Sequence, residues 1–394
     1  MAGYIGIGGK AKKIKGIYFG VGNVAKKVKK AYIGVGGKAK LWYTSGPPIV
    51  RLDQTLTEIP SNGYKAICAK AGNYVWFHRG YKGYKYGMVR FDSNLTSNIT
   101  NNWNFCCSVS LPTHCIFTNG SGGSDYTVTL NTNGGQVSSP TFGSGSFYRH
   151  YMCGTGTYLV TANSGRVKWL NDSLSWGTDV TNLPSTCVFT KTFEGDDDYP
   201  TPITFNNCAL FGGGEGNTAV TKVDNSMTVS SITNLASGLF SNSGYSVGGY
   251  GVSASSSNSY VIFSPGVVNT VVDASKLFTA YNTSFTRQST LYSPYNDYWY
   301  GQVGITGGKD YVMFSGGRQK SESAALSALT YIYDSSLTYQ KLDDLVAGTS
   351  FSYLYQGTSA EHGQFFANKY YIFGGGASPN FSTYIGRMNV YQLT

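Results

Sequence analysis

The chain has 394 residues, 13% of them charged and 15% aromatic, with 51 glycines and 32 tyrosines; that length suits one large domain or two ordinary ones, and the composition favours strands over helices. No run of about 18 apolar residues is present to cross a bilayer as a helix, and the basic start lacks the apolar core that follows it in a secretory signal. The net charge of +10 is confined to a leader, because residues 1–43 hold ten lysines and no acid, leaving 20 basic and 20 acidic groups for the remainder; such asymmetry implies two jobs in two parts of the chain.

The leader, residues 1–44, repeats every 14 residues. Tyr4-Ile5-Gly6-Ile7-Gly8-Gly9-Lys10-Ala11-Lys12-Lys13 returns at Tyr18 and again at Tyr32. Gly-Gly and Gly-Asn accept positive φ and mark tight turns between short strands. Parallel stacking of the repeats would set lysine over lysine, which is unfavourable on a sheet, so an antiparallel meander is expected. About 40 residues bury too little to stand alone. The meander is therefore expected to dock on another chain or on further copies of itself, with Lys12, Lys13, Lys26, Lys27, Tyr18, Tyr32 and Trp42 as the contact residues. Nucleic acid is an unlikely partner, since the segment has no arginine for bidentate contacts.

These Gly-Gly-Lys-Ala-Lys-Lys repeats resemble those near the ends of tail and host-recognition proteins of phages that infect Firmicutes. The resemblance covers residues 1–43 and implies attachment to other tail or baseplate proteins of a virion assembled in the host cytoplasm, with the remainder displayed outward.

Residues 45–49 form a Pro-containing linker, and a longer repeat begins at residue 50. One motif is an apolar residue, then Asp or Asn, then small residues and Leu or Met: Leu52-Asp53, Phe91-Asp92, Leu130-Asn131, Leu170-Asn171, Val223-Asp224, Val272-Asp273 and Tyr333-Asp334, with a truncated copy at Tyr391-Gln392. Asp or Asn starts such a turn by accepting from the backbone two residues on. Between copies lies an apolar run, as at Tyr74–Phe77, Ile116–Phe117, Tyr158–Val160, Ala209–Gly213, Tyr260–Phe263, Tyr311–Gly317 and Tyr371–Gly375. Seven runs bracketed by eight turns, at about 48 residues per unit, point to a seven-bladed β-propeller, with six or eight blades as the alternatives. The first turn has no run before it, so the segment 50–59 is expected to supply the outer strand of the last blade and close the ring. The unit resembles the kelch blade, with glycines after one strand and an aspartate turn after the next. It differs in lacking tryptophan after the turn, except at Trp176.

Catalytic signatures are sparse. Five aspartates (Asp53, Asp92, Asp224, Asp273 and Asp334) are assigned to turns. His78, His114, His150 and His362 lie far apart in sequence, and no cysteine pair has metal spacing. The seven cysteines are expected to be buried thiols. Glu194-Gly195-Asp196-Asp197-Asp198 lacks the alternation of a calcium loop and reads as a solvated connection. The expectation is therefore of no enzyme, no metal and no cofactor. Two aromatic runs are the candidate ligand residues: Tyr292, Tyr295, Asp297, Tyr298, Trp299 and Tyr300, and the basic run Arg79, Tyr81, Tyr84 and Tyr86. Flat apolar faces beside polar groups suit sugar rings. The whole reads as a phage tail protein whose propeller binds a host-surface receptor, a glycan first; a polysaccharide-degrading propeller and a purely structural tail component are the other readings.

Overall fold

The computed structural model describes residues 4–7, 10–13, 18–21, 24–27, 30–35, 38–44, 48–53, 56–59, 66–79, 86–103, 105, 107–118, 127–141, 151–163, 165–188, 201–213, 218–236, 253–264, 277–292, 299–300, 303–316, 318–319, 328–345, 363–374 and 387–394. Sheets account for nearly all regular structure, and the described residues hold no α-helix. In the leader, the backbone forms three two-stranded antiparallel hairpins, Tyr4–Ile7 with Lys10–Lys13, Tyr18–Val21 with Val24–Lys27, and Lys30–Val35 with Lys38–Thr44.

The remainder is a seven-bladed β-propeller, with strands in each blade running from inside to outside. Blade 1 is Ala66–Ala71, Tyr74–Arg79, Tyr86–Asp92 and Ser97–Trp103. Blade 2 is Cys107–Ser110, His114–Thr118, Thr127–Asn131 and Gln136–Val137. Blade 3 has three strands, Tyr151–Gly154, Leu159–Asn163 and Arg166–Leu170, with bridges to Trp176 and Val180 at its outer edge. Blade 4 is Thr201–Phe205, Cys208–Gly212, Val220–Asp224 and Val229–Ile232. Blade 5 is Ala254–Ser256, Tyr260–Phe263, Leu277–Asn282 and Leu291–Tyr292. Blade 6 is Val303–Gly304, Val312–Ser315, Thr330–Tyr333 and Tyr339–Lys341. Blade 7 takes Gly363–Phe366, Tyr370–Gly374 and Met388–Leu393 from one end of the chain and Ile49–Leu52 from the other.

The closing strand thus lies earlier than the expected 50–59, pairing Ile49 with Leu393 and Leu52 with Val390. Residues 56–59 are not strand; instead Leu56 and Ile59 are buried between blades 7 and 1. The amide of Thr394 completes the closure by donating to the Pro48 carbonyl at 2.9 Å.

Among the described residues the buried apolar side chains do not form a single core. Seven apolar clusters occupy the seven blade junctions, each built from two neighbouring blades. Successive residues of a strand point to opposite faces. Val75 and Phe77 therefore pack toward blade 7 and Trp76 toward blade 2. A second strand covered on both faces must be apolar throughout, which is why the seven runs seen in the sequence lack alternation. All seven are the second strands of their blades.

The Asp/Asn turns join third strands to fourth. In blade 1 the amides of Asn94 and Thr96 donate to Asp92 Oδ1 at 2.8 and 2.9 Å, and Leu95 sits at φ 64°. Asp224 and Asp334 repeat both bonds, with Met227 at φ 59° and Leu337 at φ 56°. Asn131, Asn171 and Asn282 occupy the same place in blades 2, 3 and 5. The blade 5 turn is thus Asn282–Thr286 rather than the expected one at Val272-Asp273, where residues 271–276 lie outside the described residues and Leu277 already begins a strand.

The inner strands of blades 2 to 7 each carry Ser, Thr or Gly, where neighbours approach closely and bond across the junctions. Ser108 Oγ donates to the Cys68 carbonyl, Thr204 Oγ1 to Gly154 and Ser256 Oγ to Thr204, at 2.7–2.9 Å. A Cβ on Gly304 would lie 1.9 Å from the Ala254 carbonyl oxygen. Six described cysteines, Cys68, Cys107, Cys115, Cys153, Cys187 and Cys208, are buried thiols. Burial pushes the Cys187 and Cys208 thiols up, away from thiolate. Cys106 lies outside the described residues.

Candidate functional site

Antiparallel order within each blade sends its connections to two opposite rims. The first-to-second and third-to-fourth connections share one rim, and parallel bridges from Ser257 to Gly308 and from Thr306 to Gln364 join neighbouring blades there. These connections are two to eight residues long, apart from the passage 171–200 between blades 3 and 4, which starts at this rim and runs back along the blade 3 edge through the Trp176 and Val180 bridges; the other connections of ten residues or more join strand ends at the other rim. A rim with long connections on a rigid ring is where binding residues are expected to gather.

Both candidate aromatic runs begin and end at strand ends of this long-connection rim. Arg79 is the last residue of the second strand of blade 1 and Tyr86 the first of its third. Tyr292 ends the outer strand of blade 5. Trp299 and Tyr300 pair with Gln319 and Arg318. That pairing keeps the register of Val303 with Ser315 and Gly304 with Phe314. It therefore prolongs the inner hairpin of blade 6 past the rim as a two-stranded ribbon. Tyr81, Tyr84, Tyr295, Asp297 and Tyr298 lie outside the described residues. The two runs share a rim but not a blade junction, since blade 7 stands between blade 1 and blade 6.

In the leader, Lys12, Lys13, Lys26, Lys27, Tyr18, Tyr32 and Trp42 all fall on hairpin strands. The acidic run 194–198 and the histidines at 150 and 362 lie outside the described residues. His78 is fully buried against Phe105, ring centroids 5.0 Å apart.

Two features of the short-turn rim were not anticipated. The first is a polar link between blades 2 and 3: Thr113 Oγ1 donates to Asp172 Oδ2 at 2.6 Å, and His114 Nδ1 lies 2.9 Å from Thr113 Oγ1 and 3.4 Å from Asp172 Oδ1. A separation of 58 residues hides this pair from sequence. The second is a cleft of about 410 Å³ among the first hairpins of blades 5, 6, 7 and 1, into which Lys70 and Lys309 face with Asn73, Asn258 and Asn368. The cleft was invisible because its lining comes from four hairpins that lie far apart in sequence, one to four residues from each.

No protein-family model matches the chain, and no curated protein matches it in sequence. Solved structures do. A streptogramin B lyase is similar at 12% identity, with a TM-score of 0.51, over 88% of this chain and 98% of the lyase. A virginiamycin B lyase from Staphylococcus aureus gives the same identity and TM-score over 88% of this chain and all of the lyase. The likeness extends to the fold. It also overturns the expectation that the chain is not an enzyme: the propellers it resembles include lyases, so few catalytic signatures in sequence do not exclude a site assembled from distant blades.

Proposed function

We propose that the protein is a phage tail component whose propeller binds a polymer of the host surface through the long-connection rim, with the lysine-rich leader holding it to the virion. The observation that carries this reading is the segregation of connections: apart from the passage from blade 3 to blade 4, every one of ten residues or more leaves the same rim, where both aromatic-rich runs also begin and end. The Trp299–Tyr300 ribbon supports it, because it carries a Trp-Tyr pair past the blade on a hydrogen-bonded backbone. The charge division supports the leader's separate role, a basic segment of ten lysines on a balanced body.

The test is retention of the full chain on purified cell-wall polymers of Firmicutes. Retention is expected, and Trp299→Ala with Tyr300→Ala should weaken it about tenfold or more, the loss of roughly one stacked aromatic contact or two. Oligosaccharide released during the incubation would show that the bound polymer is also a substrate. Equal retention of the double variant would place binding elsewhere.

A further inference from the structure

The cleft on the short-turn rim lies at the opposite end of the ring from the aromatic runs and is independent of the function proposed for them. Its lining combines two lysines, three asparagines and Gly307, and none of the described residues that line it is acidic. That concentration is notable on a body whose charges are balanced at 20 and 20. Asp310, next in sequence to Lys309, is close enough to Tyr371 to raise its phenol and is not part of the lining.

The backbone around the cleft is held firmly. Lys70 Nζ donates to the Phe365 carbonyl at 3.1 Å, which fixes the ammonium at the junction of blades 1 and 7. The amides of Gly307 and Gly308 donate to Ser256 Oγ and the Ser256 carbonyl at 3.0 and 2.7 Å, tying the blade 6 hairpin to blade 5. Gly307 has φ 68°, and a Cβ there would stand 3.8 Å from Lys70 Nζ, so glycine leaves the wall open beside the ammonium. In the blade 7 hairpin both Ala367 and Asn368 take left-handed backbone, at φ 51° and 55°.

Lysine supplies point charge for phosphate or carboxylate, and asparagine both donates to and accepts from hydroxyls. We propose that this cleft binds a small anionic polyol, a phosphate or carboxylate carried on a hydroxylated carbon skeleton, with Lys70 and Lys309 holding the anion and the asparagines the hydroxyls.

The experiment is calorimetric titration of the full chain with glycerol 3-phosphate and with glucuronate, which separate the phosphate and carboxylate sources. Glycerol and glucose serve as neutral counterparts. At least one anion should bind at millimolar concentration while its neutral counterpart does not. Lys309→Gln, at an exposed position, and Lys70→Gln should each weaken binding about tenfold, the share of one charge-assisted hydrogen bond. Because the leader is itself cationic, K12Q, K13Q, K26Q and K27Q combined form the control and should leave the affinity unchanged. Absence of binding by both anions, equal binding by the neutral compounds, or a loss that follows the leader lysines instead of Lys309 would overturn the assignment.

Discussion

Asp92, Asp224 and Asp334 make the same two backbone bonds as Asn131 and Asn282. The turn therefore uses the side-chain carbonyl-type oxygen and not the charge. Asp334→Ala should cost about 1–2 kcal/mol, the worth of a capping oxygen, while Asp334→Asn should be close to neutral; urea midpoints of the two variants check this. Two buried tyrosines make the opposite point. Tyr391 OH bonds Thr330 Oγ1 and donates to the Asp343 carbonyl, both at 2.9 Å. Tyr333 OH has no hydrogen-bond partner among the described residues. Phenylalanine at 333 should thus hold or raise stability by up to about 1 kcal/mol, and at 391 should lower it by about 1–2 kcal/mol, again read from urea midpoints. At this scale the turn acceptors were legible because Asp and Asn have a local job. The Thr113–His114–Asp172 link and the cleft lysines were not, because their partners come from other blades.

At the scale of strands, the second strand of each blade was readable because burial on both faces leaves an uninterrupted apolar run. The fifth turn was misplaced because Val272-Asp273 matches the motif in composition, whereas the working copy, Asn282-Thr283-Ser284-Phe285, has an aromatic where the other copies have Leu, Met or Gly. Phe285 is nevertheless at φ 58° and packs with blade 4. Closure of the ring was legible from the unequal count of turns and runs, but the strand was set too late, since Ile49–Leu52 lies against the Pro-Pro linker. Ile49 is buried between blades 6 and 7, and Arg51 bonds the Asp344 carbonyl as well as Asp53. A chain starting at residue 45 should melt within a few degrees of the full length. One starting at residue 54 should lose several kcal/mol, because a four-residue ladder and the Ile49 side chain go together. Calorimetric melting of the two truncations tests the pair, and a common melting temperature would remove the closing strand from the stability of the ring.

For the molecule as a whole, tyrosines set a limit on the alkaline side. Desolvation raises the phenols of Tyr281, Tyr311, Tyr333, Tyr371 and Tyr391 above their ordinary value near 10. An acid whose folded pKa is raised contributes fully below its unfolded pKa and progressively less above it. Stability should accordingly hold through neutral pH and fall steeply above about pH 10. In an ultraviolet titration these tyrosines should ionise together with cooperative unfolding, and gradual ionisation of all 32 in a folded chain would contradict the packing. The clasp in blade 7 has a consequence in time. Ile49–Leu52 is made early, but its partner Met388–Leu393 is more than three hundred residues away. At typical elongation rates of roughly 5–20 residues per second, this edge waits roughly 20 to 70 seconds on the ribosome without its match. During that interval a neighbouring nascent chain of the same kind offers the same pairing, so dense polysomes should favour strand-exchanged dimers over closed rings.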